Sequence, residues 1–269
     1  MPIITISRGS YSKGKEIAEK VAEKLGYRCL SRGLVQKEAS EQYQIPEVAL
    51  VRAVHDAPTI LDRLGYKKQK YVACYQAVAL KHFREDDVVY HGLAGHFLVQ
   101  GVSHVLKVRI LADMADRVRW EMEREHISED EALRLLARDD EERRRWSQYL
   151  YGIDAWDPQS YDMVLHIKKL TVDDAVDLVC HTASFPQFQA TDASRRKMDD
   201  LVVAASVRAA LIDLKPDVEV SCDGGVALVR TTVRLTKEAA LVEEIKRVAG
   251  AIPGVREVRV SAHASYMDV

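Results

Sequence analysis

The sequence predicts an α/β protein: a parallel sheet with helices on both faces, followed by a small αββαβ unit. Three observations predict it. Short β-branched runs alternate with segments of helical period from residue 3 to residue 183. A G-x-x-x-x-G-K spacing, Gly9-Ser10-Tyr11-Ser12-Lys13-Gly14-Lys15, stands between the first such run and the first helical segment. Beyond residue 197 the pattern changes to one helix, two strands, one helix and one strand.

The elements follow in order. Ile3-Ile4-Thr5-Ile6 suits a buried strand. After the glycine loop, Ile17, Ala18, Val21, Ala22 and Leu25 recur at helical spacing, and Gly26 is placed to end that helix. Strand, glycine loop and helix together are the context a phosphate site needs. Glycines let backbone N–H groups approach a phosphate chain, the helix N-terminus adds favourable partial charge, and Lys15 neutralises phosphate oxygens. The Ser or Thr that follows the Lys in the generic pattern, and holds magnesium there, is Glu16. An ordinary strand-to-helix turn with a basic, solvated tip would carry the same seven residues.

Tyr27 to Leu30 reads as a short strand, Arg32 to Gln44 as a helix, and Pro46 begins another. Ala57 to Leu64 and Lys67 to Phe83 are helical in period. Asp87 to His91 is the next strand, followed by the turn Gly92-Leu93-Ala94-Gly95, and then Val105 to Leu111. From Ala115 the chain is densely charged. Ser128-Glu129-Asp130-Glu131 forms a capping box, and Ala132, Leu133, Leu136 and Ala137 face one way. The many arginines here meet as many acids, so a salt-bridged helical hairpin in water accounts for them without a ligand. Tyr161 to Ile167 is a strand, and Thr171 caps a helix to Cys180. Ser184 to Ser194 is polar and aperiodic and reads as a linker, which sets domains at 1–183 and 197–265 with 184–196 between them. In the second, Val203, Val207, Ala210 and Leu214 mark a helix face, Asp223-Gly224 a hairpin turn, and Pro253-Gly254 a break before the last strand.

Composition narrows the function. The chain has 269 residues, ample for a core, and a formal net charge of −2, which argues against a general nucleic-acid binder. Cys29, Cys74, Cys180 and Cys222 are scattered without a C-x-x-C pair and read as buried side chains in a reducing compartment. No basic-then-apolar leader and no apolar run of spanning length is present, so the cytoplasm is expected. His91 and His96 flank the glycine turn. Their spacing supplies no metal geometry, and they read as polar residues at a cleft mouth. Trp156-Asp157-Pro158 reads as a closed turn, and Tyr71, Tyr75 and His82 as packing and surface residues.

Residues Ile3 to His181 resemble the cytidylate kinase-like family, a branch of the P-loop nucleoside monophosphate kinases. The carriers are Ile4 to Arg8, Gly14 to Ala18, Val88 to Gly95, and the arginine-rich segment with Tyr149, Tyr151-Gly152, Trp156-Asp157-Pro158 and Tyr161-Asp162. Lys197 to Ala262 is similar to a BON domain, through its αββαβ order, Asp223 to Leu228 and Ile252 to Val258.

The kinase resemblance implies transfer of the ATP γ-phosphoryl group to a nucleoside monophosphate, CMP or dCMP by default, with Mg2+. It implies a donor site at Gly9, Ser10, Ser12, Lys13, Gly14, Lys15 and Glu16, and a lid carrying Arg134, Arg138 and Arg143 that closes over the phosphates. Lys15 and these arginines would be the catalytic cations. The acceptor side departs from the family. Leu93 stands where an Arg is common in the Gly92 turn, and Ser31 where an Asp is expected, with Arg32 beside it as a substitute cation. A nucleotide-binding regulator without turnover therefore stands as an alternative, as does an interaction protein acting through the BON-like unit on a protein or lipid-like ligand.

Overall fold

β1 (Ile3–Arg8) is buried along both faces from Ile3 to Ile6, as a central parallel strand must be. Around it the computed structural model, which describes residues 2–9, 12–55, 67–92, 95–233 and 238–264, builds a five-stranded sheet. The other strands are β2 (Arg28–Ser31), β3 (Val88–His91), β4 (Val105–Ala112) and β5 (Met163–Ile167). Their order is β2-β3-β1-β4-β5, and every pairing is parallel. The helix expected at Ala57 to Leu64 lies outside the described residues, as do Ser10 and Leu93.

Alternation along the strands sorts the helices onto two faces. Ile3, Val88, Tyr90 and Val105 point into one apolar cluster with α2 (Arg32–Tyr43), α3 (Glu47–His55) and α4 (Lys67–Phe83). Ile4, Ile6, Val89, Leu106, Val108 and Ile110 point into the other, with α1 (Gly14–Leu25) and α8 (Val172–Ala183). α8 starts at Thr171, the cap the sequence predicts, and Asp174 completes a capping box there.

The short α5 (Gly95–Leu98) follows the glycine turn. A Cβ at Gly95 would sit 2.4 Å from the Tyr90 ring, so that turn needs a residue without a side chain. α6 (Met114–Glu125) and α7 (Glu129–Tyr151) form the charged hairpin. Its own core is small: Val118, Ala132 and Leu136, with Met122 and Ile127 against them. Ser128 and Glu131 close the expected capping box at the start of α7. Asp157 caps a 3-10 turn at Pro158–Ser160, so the Trp-Asp-Pro cluster does close a turn.

The stretch read as an aperiodic linker is ordered. Pro186–Phe188 is a 3-10 turn, and α9 (Asp192–Leu211) begins at Thr191, whose hydroxyl accepts from the Ser194 amide. The polar residues there are the capped, solvated first turn of a helix. α9 is apolar on two sides. Met198, Val202 and Ala209 join the α4 face of the large sheet, while Val203, Val207 and Leu211 enter a separate core. That core lies on a second sheet of β6 (Glu219–Asp223), β7 (Val226–Val233) and β8 (Glu257–Ala264), with α10 (Glu238–Gly250). β6 and β7 pair antiparallel across the Asp223-Gly224-Gly225 turn, where both glycines have positive φ, 52° and 82°. β7 and β8 are parallel.

Candidate functional site

Strand order reverses at β1: the chain first builds β2 and β3 on one side, then β4 and β5 on the other. Loops at the carboxyl ends of strands diverge at such a point and leave a crevice. The glycine loop leaves β1 there. Lys13 takes a left-handed backbone (φ 64°) as N-cap of α1, and its side chain makes no capping bond. The capping role is thus left open at the loop that is expected to hold phosphate.

Three contacts fix the described part of the loop. Ser12 is fully buried; its hydroxyl lies 3.1 Å from the Gly9 carbonyl and 3.2 Å from that of Ile110. The Ser12 hydroxyl thus ties the loop to the end of β4, which leaves its backbone N–H as the group that could face a phosphate. Gly14 sits under Arg8: a Cβ there would lie 2.7 Å from Arg8 Cδ. Behind Gly9 stands Arg117 of α6, paired at 2.8 Å with Asp140 of α7, so this buried ion pair joins the two hairpin helices beneath the loop.

Two clefts open from this point. The larger, about 500 Å³, lies between α1 and α6 and is lined by Arg8, Lys13, Lys15, Glu16, Trp120 and Glu121 among others. Lys13 Nζ stands 5.2 Å from the centre of the Trp120 ring and 3.5 Å from Glu16. Lys15 is mostly exposed, 3.7 Å from Glu19. Glu121 is fully buried. Its Oε1 accepts from Arg124 at 2.7 Å, and its Oε2 has no hydrogen-bond partner among the described residues. Burial raises its pKa.

The smaller cleft, about 160 Å³, is lined by Arg8, Ser31, Arg32, Gly33, His91, Gly92 and Arg143. Three arginines line it, and no carboxylate does among the described residues, though Asp139 and Asp140 act on Arg143 and Glu19 on His91 from nearby. The electrostatic consequence is visible in two groups. Arg143 is pushed down to about 10, first by burial and then by Arg8 and Arg32. His91 falls to about 4, first by burial and then by Arg8, so it is neutral at pH 7. Arg143 Nη1 donates to the Arg8 carbonyl at 3.2 Å, while its Nε is buried without a partner among the described residues. A gathering of like charges this close asks for an anion.

The expected site residues therefore divide. Gly9, Lys13, Gly14, Lys15 and Glu16 surround the larger cleft or its loop; Arg32 and Gly92 line the smaller one. Arg143, expected over the donor phosphates, lines the smaller cleft instead, because α7 is long enough to carry its C-terminal half back to the sheet. Arg134 and Arg138 are exposed on α7 and line neither cleft. His96 is not at a cleft mouth: it is buried against Phe97 (3.8 Å between ring centres) and Tyr161 (4.6 Å). Arg8, Trp120 and Glu121 were not singled out from the sequence. The available signal for Arg8 was an arginine closing an apolar strand directly before the glycine loop.

A five-stranded parallel sheet in this order, with a glycine loop at its carboxyl edge and a helical hairpin beside it, is a P-loop kinase-like nucleotide-binding fold. The chain belongs to the cytidylate kinase-like family, whose profile matches residues 3–169. Among curated relatives, the cytidylate kinase of Sulfolobus acidocaldarius is 26% identical over 177 residues, 65% of this chain and 91% of its own length. That of Pyrobaculum aerophilum is 27% identical over 189 residues, 69% of this chain and 96% of its own. That of Methanosarcina mazei reaches 37% over 103 residues, 38% of this chain and 56% of its own. A solved structure of an uncharacterized protein from Eubacterium ventriosum superposes with a TM-score of 0.52 at 22% identity, covering 68% of this chain and 97% of that one; this likeness concerns the fold alone. Among the described residues no helix is long and apolar enough to cross a membrane.

Proposed function

We propose that this protein transfers the γ-phosphoryl group of ATP to a nucleoside monophosphate, with CMP or dCMP the first acceptors to test. The observation that carries the reading is the cleft lined by Arg8, Arg32 and Arg143, which adjoins at the glycine loop a larger cleft of mixed charge, where Arg8, Lys13, Lys15 and Arg124 face Glu16, Glu19, Glu121 and Glu123. A monophosphate fits its size and charge. The larger cleft has room for the triphosphate of the donor.

The protein needs little covalent chemistry for this reaction. It must align two phosphates and neutralise the charge that spreads over the transferred group. In this reading Lys15 and the loop amides hold the donor β- and γ-phosphates, with Lys13 and Trp120 along the same wall. Arg32 and Arg143 grip the acceptor phosphate. Neutral His91 offers it a hydrogen bond without adding a fourth charge. The hairpin of α6 and α7 excludes water, which limits ATP hydrolysis. Leu93 carries no charge, so Arg143, reaching in from α7, takes the place of the arginine expected in the Gly92 turn.

Among the described residues no cluster of three or more His, Cys, Asp or Glu side chains could hold a metal by itself, so a magnesium ion in the donor cleft would be held chiefly by the nucleotide phosphates, with Glu16 the exposed carboxylate beside the loop. When bound it would supply Lewis-acid neutralisation of the phosphate oxygens. We read residues 197–265, resembling a BON domain, as a regulatory or oligomerising module for a protein or lipid-like ligand, attached to a kinase unit over 1–183; α9 spans the boundary.

The test is ADP release with ATP, magnesium and each of CMP, dCMP, UMP, AMP and GMP, beside Lys15→Ala. Turnover with one acceptor, abolished in the variant, supports the kinase. Folded protein that binds ATP but is silent with all five acceptors would instead make it a nucleotide-binding regulator.

A further inference from the structure

We propose that Arg8 is a catalytic cation shared by the two clefts, contacting the phosphoryl group as it passes from donor to acceptor. The inference rests on the kinase reading above and deepens it. Among the described residues, Arg8 is the one side chain that lines both the donor cleft and the acceptor cleft.

Its placement follows from the fold. Arg8 is the last residue of β1, the strand flanked by β3 and β4 where the strand order reverses, so it projects from the carboxyl edge between the two halves of the crevice. Its stem lies across Gly14, where any side chain would collide with Arg8 Cβ (2.9 Å) and Cδ (2.7 Å). The bare glycine at the start of α1 is what allows an arginine to lie over the phosphate loop. On the other side Arg8 is the first electrostatic influence after burial on both Arg143 and His91, so its positive charge bears on the acceptor cleft. Its carbonyl also receives Arg143 Nη1 at 3.2 Å, which ties the acceptor-side arginine to the end of the same strand.

The chemistry needs a cation at this junction. The bond between Pγ and the β–γ bridging oxygen breaks, and its electron pair leaves on ADP. A lone pair on an acceptor phosphate oxygen forms the new P–O bond. Any proton on that acceptor oxygen passes to water, and nothing is oxidised or reduced. Between the two events the three equatorial oxygens carry charge that belongs to neither ground state. A guanidinium fork reaching both clefts can follow those oxygens, whereas an ammonium offers a single point of charge. Lys15 stands in the donor cleft alone, and Arg32 and Arg143 in the acceptor cleft alone.

The experiment compares wild type with Arg8→Lys and Arg8→Ala. It uses steady-state kinetics, thermal unfolding, and binding of ADP, of the acceptor monophosphate, and of a bisubstrate analogue joining adenosine and the acceptor nucleoside through five phosphates. The expected result is a kcat at least about 100-fold lower in both variants, with each KM within about threefold. Binding of the bisubstrate analogue should weaken at least tenfold while ADP and monophosphate bind as in wild type. Added guanidinium ion at millimolar concentration should restore part of kcat to Arg8→Ala and none to a Lys15→Ala control. Unchanged kcat in both variants would overturn the proposal. So would a loss confined to one KM, which makes Arg8 a binding residue of a single cleft. Unfolding of both variants would also overturn it, by assigning Arg8 to packing over Gly14. Failure of the kinase reading itself looks different: wild type then neither turns over any acceptor nor binds the bisubstrate analogue.

Discussion

At His96 an imidazole lies between Phe97 and Tyr161, and neither ring nitrogen has a hydrogen-bond partner among the described residues. Burial, and then the charge of Arg109, push its pKa down to about 3, so the folded protein holds it neutral. The unfolded chain protonates this residue near pH 6.5, and between that value and about 3 the unfolded state binds more protons. Its contribution to stability is therefore intact above pH 6.5 and is lost progressively as pH falls toward 3. His96→Leu should flatten this acid limb, holding roughly 2 kcal/mol more stability than wild type at pH 5, relative to their difference at pH 7.5. Urea unfolding at the two pH values measures it. Arg143→Met should raise the monophosphate KM about 10- to 100-fold, as expected for lost charge-assisted hydrogen bonds, and leave the ATP KM within about threefold. Its thermal midpoint should not fall, since the change also removes repulsion from Arg8 and Arg32. Initial rates against each substrate, with a melting curve, check both. At this scale the sequence is a partial guide. The sequence places Lys15 and Arg32 beside glycine turns, and the structure puts each in the lining of a cleft. The loop pattern does not show that the Ser12 hydroxyl is bonded to the Ile110 carbonyl, 98 residues away. Arg143 lines a different cleft from Lys15, which helical spacing does not show because it does not tell where a long helix ends in space.

α7 is one helix with two different attachments. Its C-terminal half is held to the core on the α3 side of the large sheet by Trp146, 2% exposed, whose indole N–H donates to the Ala53 carbonyl of α3 at 3.1 Å. Its N-terminal half rests on α6 through a cluster of five apolar residues. Burial of that size stabilises only weakly, so this half should open before the rest. Leu136→Ala should destabilise the hairpin by about 2–4 kcal/mol and raise amide exchange between residues 118 and 138, while the strands of the large sheet keep their protection. Hydrogen exchange with mass spectrometry reads the difference; uniform acceleration across the sheet would show that the hairpin is not a separate unit. The elements themselves were largely legible. Short β-branched runs, the capping box at Ser128, the cap at Thr171, and the Asp223-Gly224 turn are local signals, and local signals survive without knowledge of packing. The start of α9 was missed although it is local too. Thr191-x-x-Ser194 is a cap, but its polar first turn continues the polar stretch before it, so no change of pattern marks the start.

For the molecule as a whole, α9 serves two cores at once, and Lys70–Asp213 (2.6 Å) and Arg195–Asp86 (3.2 Å) pin the ends of this region to the first unit. A helix apolar on two sides has weak one-sided periodicity, which is why composition placed a boundary where packing places a joint. A chain ending at Ala183 should lose the burial of Met198, Val202 and Ala209, about 5 kcal/mol, and melt about 10–20 °C lower than the full chain. A chain ending at Leu214 should recover most of that difference. Calorimetry of the three lengths tests it, and equal midpoints for 183 and 269 residues would show the first unit to be self-sufficient. The shared helix also bears on synthesis. On the ribosome the sheet cannot complete its α4 side when its last strand and α8 emerge; it must wait for the 26 residues from Ala183 to Ala209, about 1–5 s at ordinary elongation rates. For that interval the nascent chain presents an apolar seam along α4, so chaperone capture should be sought in arrested chains that have passed residue 183 but not yet exposed residue 211.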